Sequence, residues 1–100
     1  MYTNLSMEFT WDDSKNASNF RKHHVWFEEA VSVFDDARAR EIRDIEHSDD
    51  EDRWIILGMS AELKILVVVY TEQTDDGLIR IISARPATRN EETEYARRLK

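Results

Sequence analysis

Three segments near the end of the chain, "RWIILGMS" (53–60), "KILVVVYTE" (64–72) and "LIRIISAR" (78–85), constrain the fold more than anything else in it. Each is rich in Ile and Val, whose branched side chains pack on a pleated surface and crowd a helix. The connections between them are short and turn-like, and the second, "QTDDG", carries an Asp-Gly hairpin signal. Strands joined in this way pair as an antiparallel meander. Upstream, "MEFTW" alternates and predicts a strand over Met7–Trp11, while "ARAREIR" predicts a short fourth partner that leads into a solvated hairpin loop, "IEHSDDEDR".

Helical signals lie on either side of this block. Asp12 or Asp13 can cap a helix running to about His23, which Val25 and Trp26 bring to an end. Phe27, Ala30, Val31 and Phe34 then recur at i, i+3, i+4 and i+7, a core-facing stripe. Pro86 stops the sheet, and "TRNE" is a capping box for a terminal helix from Arg89 to about Leu99. The order β-α-α-β-β-β-β-α implies one α+β domain, an antiparallel sheet with helices packed on one face. With 100 residues, 41% of them apolar, the chain can fill one core.

Composition narrows the chemistry. The absence of cysteine excludes disulfides and thiolate metal sites and fits a reducing cytoplasm. The N-terminal stretch lacks the pattern of a secretory signal, and the longest apolar run, Ile65–Tyr70, is too short to cross a bilayer, so a cytoplasmic domain without a membrane segment is expected. A net charge of −7 argues against a general nucleic-acid coat, yet cations gather at Arg21–Lys22, Arg80–Arg89 and Arg97–Lys100. The acidic run from Asp44 to Asp52 lacks the alternation and turn glycine of a calcium loop and reads as a hairpin tip. No nucleophile elbow and no glycine-rich phosphate loop are present.

The candidate site begins at "FRKHH". Lys15, Asn19 and Lys22 or His23 are spaced to line one face of the first helix. They could be a solvated helix end, with Lys22 and His23 complementing the negative end of the dipole, or one side of an anion site. His24 falls where a helix often turns left-handed, a position favouring glycine. Arg53 opens a strand, Arg80 lies inside one, Arg85 closes it and Arg89 begins the last helix. Charges within strands usually mark a solvated face, but planar guanidinium groups around a sheet end also clamp phosphates. Arg80 and Arg85 point to opposite faces of a regular strand, so they share a site only if that strand bends, bulges or ends early.

The spacing W-D-x-x-K-x-x-x-N-x-x-K-H (Trp11, Asp12, Lys15, Asn19, Lys22, His23), the Arg53-Trp54 pair before the glycine strand and the "ISARPAT" ending resemble the BrnT family of type II toxins from Phe9 to about Tyr95. The resemblance implies a RelE-like fold and a ribonuclease that halts translation by cutting RNA without a metal ion or other cofactor. It implies neutralisation by a BrnA-like antitoxin, through which alone the protein reaches operator DNA, in toxin pairs or toxin–antitoxin hetero-oligomers. Carried over by position, Lys22, His23, Arg53, Arg80 and Arg85 form the catalytic set, with Lys15, Arg89 and Tyr95 as RNA contacts. His23 would be acid or base, and the arginines would hold the phosphate. Two positions depart from the pattern: His24 replaces the usual glycine, and "NEETEYARR" is more acidic than the common arginine-rich version. The alternative is a non-catalytic module that acts by docking to an antitoxin or another protein.

Overall fold

A computed structural model describes residues 2–4, 7–47, 52–73 and 77–97. The elements are β1 (Tyr2–Asn4), β2 (Met7–Thr10), α1 (Asp13–His23), α2 (Phe27–Val31), a 3₁₀ turn (Ser32–Asp35), β3 (Arg40–Arg43), a second 3₁₀ turn (Ile45–His47), β4 (Arg53–Met59), β5 (Ile65–Gln73), β6 (Leu78–Pro86) and α3 (Arg89–Arg97). The six strands form one sheet in the order β1-β2-β6-β5-β4-β3. The expected meander β4-β5-β6 is antiparallel throughout. The tip of the acidic loop at 48–51 and the Asp-Gly turn at 74–76 lie outside the described residues.

Three expectations are corrected. The order gains a strand, β1, which pairs with β2 ahead of the first helix. The sheet is mixed, because β2 runs parallel to β6. A parallel neighbour needs a long crossover, and everything from α1 to β5 supplies it. The helices also do not share one face. Phe27, Ala30, Val31 and Val33 are buried against Phe9, Ile56, Leu66, Val68, Tyr70, Ile79 and Ile81 in the main core. Phe34 packs edge-on against Phe9 and Tyr70. Alternation places Val67 on the opposite face, where it is buried outside that core, as is Tyr95 of α3. Ile42, Ile55, Leu57 and Val67 line a hollow there with Glu91 and Glu94 of α3.

Two asparagines seat the early helices. β2 pairs with β6 only as far as Arg80, and beyond it α1 lies along the vacated edge of β6. There Asn19 accepts from the Ala84 N–H (3.1 Å) and donates to the Ala84 carbonyl (2.8 Å), taking both bonds that a neighbouring strand would make. Its amide also donates to the Val25 carbonyl (2.9 Å). Asn16 accepts from the Phe27 N–H (2.7 Å), capping α2 from outside because Trp26 at its N-cap offers no side-chain acceptor. α1 itself is capped by Asp12, which accepts from the Lys15 N–H.

At its other end α1 stops on His24, with φ 60° and ψ 31°. An L-residue in this left-handed conformation costs about 1–2 kcal/mol relative to glycine. His24→Gly is therefore expected to stabilise the fold by about 1 kcal/mol, less the added freedom of glycine in the unfolded chain, read as a higher urea midpoint with an unchanged m-value.

Candidate functional site

The site is built on the face of the sheet turned away from the main core. Register carries Arg53 of β4 to Thr71 of β5, Thr71 to Arg80 of β6, and Arg80 to Thr10 of β2. The four residues therefore form a row across four adjacent strands. Tyr70 and Ile81 belong to the core, so alternation turns Thr71 and Arg80 to the other face. Strands lie about 4.8 Å apart, which puts the Arg53 and Arg80 backbones about 10 Å apart with Thr71 between them. Both arginines are half-buried and Thr71 is fully buried.

The strand does bulge. Val69 pairs with Ser83 while Tyr70 pairs with Ile81, leaving Ile82 as the extra residue. The slip restores Ser83 and Arg85 to the face that carries Arg80. Arg85 nevertheless serves α3: its guanidinium grips both Glu91 carboxylate oxygens, at 2.8 and 2.9 Å. Glu91 completes the expected capping box with Thr88, and Arg85 with the Thr88 bonds holds its carboxyl down at about 2.

α1 supplies the other wall. Lys15, Ser18, Asn19, Lys22 and His23 line a hollow of about 190 Å³ with Ile82 and Ser83. His23 is partly buried there, and its ring makes no hydrogen bond or ion pair among the described residues. Next along β6, Arg80 shares a second hollow with Thr10, Trp11, Asp12 and Leu78. Asp12, at its rim, is held below the usual carboxylate range by the Ser14 hydroxyl and then the Lys15 N–H. The helix wall with its imidazole and two ammonium groups thus meets β6, the strand that carries Arg80, at Ile82 and Ser83.

Two expected contacts lie elsewhere. Tyr95 is 3% exposed and donates to Asp36 (2.6 Å), whose same oxygen accepts from the Met59 N–H. Burial, then the Asp36 carboxylate, pushes its phenol up to about 12. It is a packing residue of α3 and offers no surface to RNA. Arg89 is exposed at the start of α3, apart from the α1 hollow. Among the described residues no cluster of three or more His, Asp or Glu side chains could hold a metal ion, and no helix is long and apolar enough to cross a membrane.

Thr71 and Ser83 were not singled out by sequence reasoning. Alternation along "VVVYT" puts Thr71 opposite Tyr70, but its place between two arginines depends on the registers of both hairpins, which no local signal sets.

The comparisons agree with this architecture. The solved structure of the Brucella abortus ribonuclease toxin BrnT superimposes with a TM-score of 0.62 at 21% identity, covering 83% of this chain and 99% of that one, and so shares the fold. A search of curated proteins finds no match. The model of the family described as "Ribonuclease toxin, BrnT, of type II toxin-antitoxin system" matches residues 11–91, which include α1, the arginine row and the capping box of α3. This chain belongs to the BrnT family of ribonuclease toxins of type II toxin–antitoxin systems.

Proposed function

We propose that this chain is a metal-independent endoribonuclease of RelE-like fold that cuts RNA at the seam between α1 and the open face of β6. What supports the reading is the hollow that His23, Lys15 and Lys22 line together with Ser83 of β6, the strand that carries Arg80 three residues earlier, in register with Thr71 and Arg53. The ribose 2′-hydroxyl attacks the adjacent phosphorus after losing its proton to a base. The guanidinium groups of Arg53 and Arg80 stabilise the charge that gathers on the five-coordinate phosphorus, and an acid protonates the leaving 5′-oxygen. His23 serves as acid or base, since imidazole changes charge between pH 5 and 8. Lys15 and Lys22 draw in the flanking phosphates, while Arg89 meets the strand further along. Arg85 acts through α3, by holding Glu91.

Cutting RNA halts translation in the cytoplasm, and an antitoxin must restrain it. Membership of a type II family implies a protein antitoxin. Its proposed form is a BrnA-like protein that binds operator DNA and bridges toxin pairs. A net charge of −7 suits a basic partner.

The test is chemical. Purified protein should cut a single-stranded RNA oligonucleotide in the presence of a chelator and leave a 2′,3′-cyclic phosphate, and a 2′-deoxy residue at the cut position should abolish that cut. Cutting that survives the deoxy substitution would rule out 2′-hydroxyl attack. The acidic body also favours a second reading, a docking module, and growth arrest with cellular RNA intact would support it.

A further inference from the structure

Thr71 ends a run, Ile65 to Tyr70, in which every residue is apolar or aromatic. It is 0% exposed, and its hydroxyl oxygen has no hydrogen-bond partner among the described residues. A buried hydroxyl in this state costs folding free energy, whereas valine would fill the same space with no polar atom to satisfy. The fold therefore gives no reason for threonine here. Its position does, because register sets Arg53 on one side of it and Arg80 on the other, on the same face. Guanidinium groups carry five N–H donors and no acceptor, while a hydroxyl can accept two bonds.

We infer that Thr71 is a positioning residue whose hydroxyl accepts guanidinium N–H groups from Arg53 and Arg80 as they close on a phosphodiester. Buried beneath the two arginines, the hydroxyl does not touch the anion. It fixes the plane and direction of the groups that do, leaving their remaining N–H donors aimed outward in pairs, as a phosphate requires. Pre-set donors of this kind act without reorganising when charge develops on the phosphorus. The inference rests on the nuclease reading for its chemistry, but the anion-holding step is measurable without cleavage.

The experiment compares Thr71→Val and Thr71→Ser with the native chain in three measurements: melting temperature, RNA cleavage, and binding of a single-stranded DNA oligonucleotide, which carries the phosphates but lacks the 2′-hydroxyl. Thr71→Val should melt no lower than the native protein, cleave roughly 10- to 100-fold more slowly, as suits a lost bond to a charged group, and bind the DNA more weakly. Thr71→Ser should restore both functions to within a few-fold. Native cleavage and binding in Thr71→Val would overturn the inference and leave the nuclease reading standing. Loss of function together with a lowered melting temperature, or without rescue by serine, would reduce Thr71 to packing and overturn it too. If the native chain cuts no RNA while Thr71→Val still weakens DNA binding, the nuclease reading falls and the positioning role stands.

Discussion

Replacing His23 by alanine is expected to slow RNA cleavage by roughly 10²–10⁴-fold, the contribution of a positioned acid or base. Folding should be spared, because the ring is only partly buried and makes no hydrogen bond or ion pair among the described residues. What the ring does have is a place: it opens into a hollow shared with Ser83, on the strand that carries Arg80 three residues earlier. The measurement is the initial rate of cleavage, with the melting temperature recorded on the same preparation. If the variant keeps activity within a few-fold of native, His23 has no part in proton transfer, and the seam keeps only its phosphate-binding role. A glutamine at the same position separates the two contributions, since it preserves hydrogen bonding but cannot take up a proton. It should be nearly as slow as alanine.

How much of this was legible in the sequence depends on the range of the interaction concerned. The α1 cap at Asp12, the stop at His24 and the Thr88–Glu91 box all act within one helical turn, and each is where its local pattern placed it. The three Ile- and Val-rich strands were equally plain, because branched residues between turns leave few alternatives. The parallel β2–β6 pair was not, since it joins residues about 70 apart in the chain and has no composition of its own. The same limit applied at the site. Five residues separate Arg80 from Arg85, and only the bulge at Ile82 brings both to one face. Arg85 then turned out to hold Glu91, so sharing a face did not place it in the arginine row. Tyr95, which the resemblance made an RNA contact, is instead buried by α3 beside Asp36 and the Met59 end of β4, a packing that no local pattern announces.

The family pattern in α1 therefore mixes two kinds of residue, and stability measurements should sort them. Asn19 lies within it, four residues from Lys15 and His23, yet the residue is 7% exposed and its amide spends three bonds on backbone groups of Val25 and Ala84. Alanine there would strand one N–H and two carbonyls inside the protein, each costing about 1–3 kcal/mol if nothing replaces the bond. Relaxation and water would recover part of that, so a net loss of about 3–5 kcal/mol is expected for Asn19→Ala, a large share of the 5–15 kcal/mol that typically holds a domain. At roughly 4–8 °C per kcal/mol the melting temperature should fall by well over 10 °C. Activity should fall with it at 37 °C and recover on cooling, whereas the His23→Ala enzyme stays slow at every temperature at which it is folded. A melting point within about 2 °C of native would mean that α1 does not depend on Asn19 to stay on the edge of β6. In that case the wall that carries His23 would be held by the bonds of Asn16 to Phe27 and Glu28 and by the stacking of Phe20 on Trp26, with Val25 and Phe27 anchoring that segment in the core. The position of the imidazole would then rest on the segment from Val25 to Glu28, and substitutions there that leave the fold intact, such as Val25→Ala, should disturb cleavage more than Asn19→Ala does.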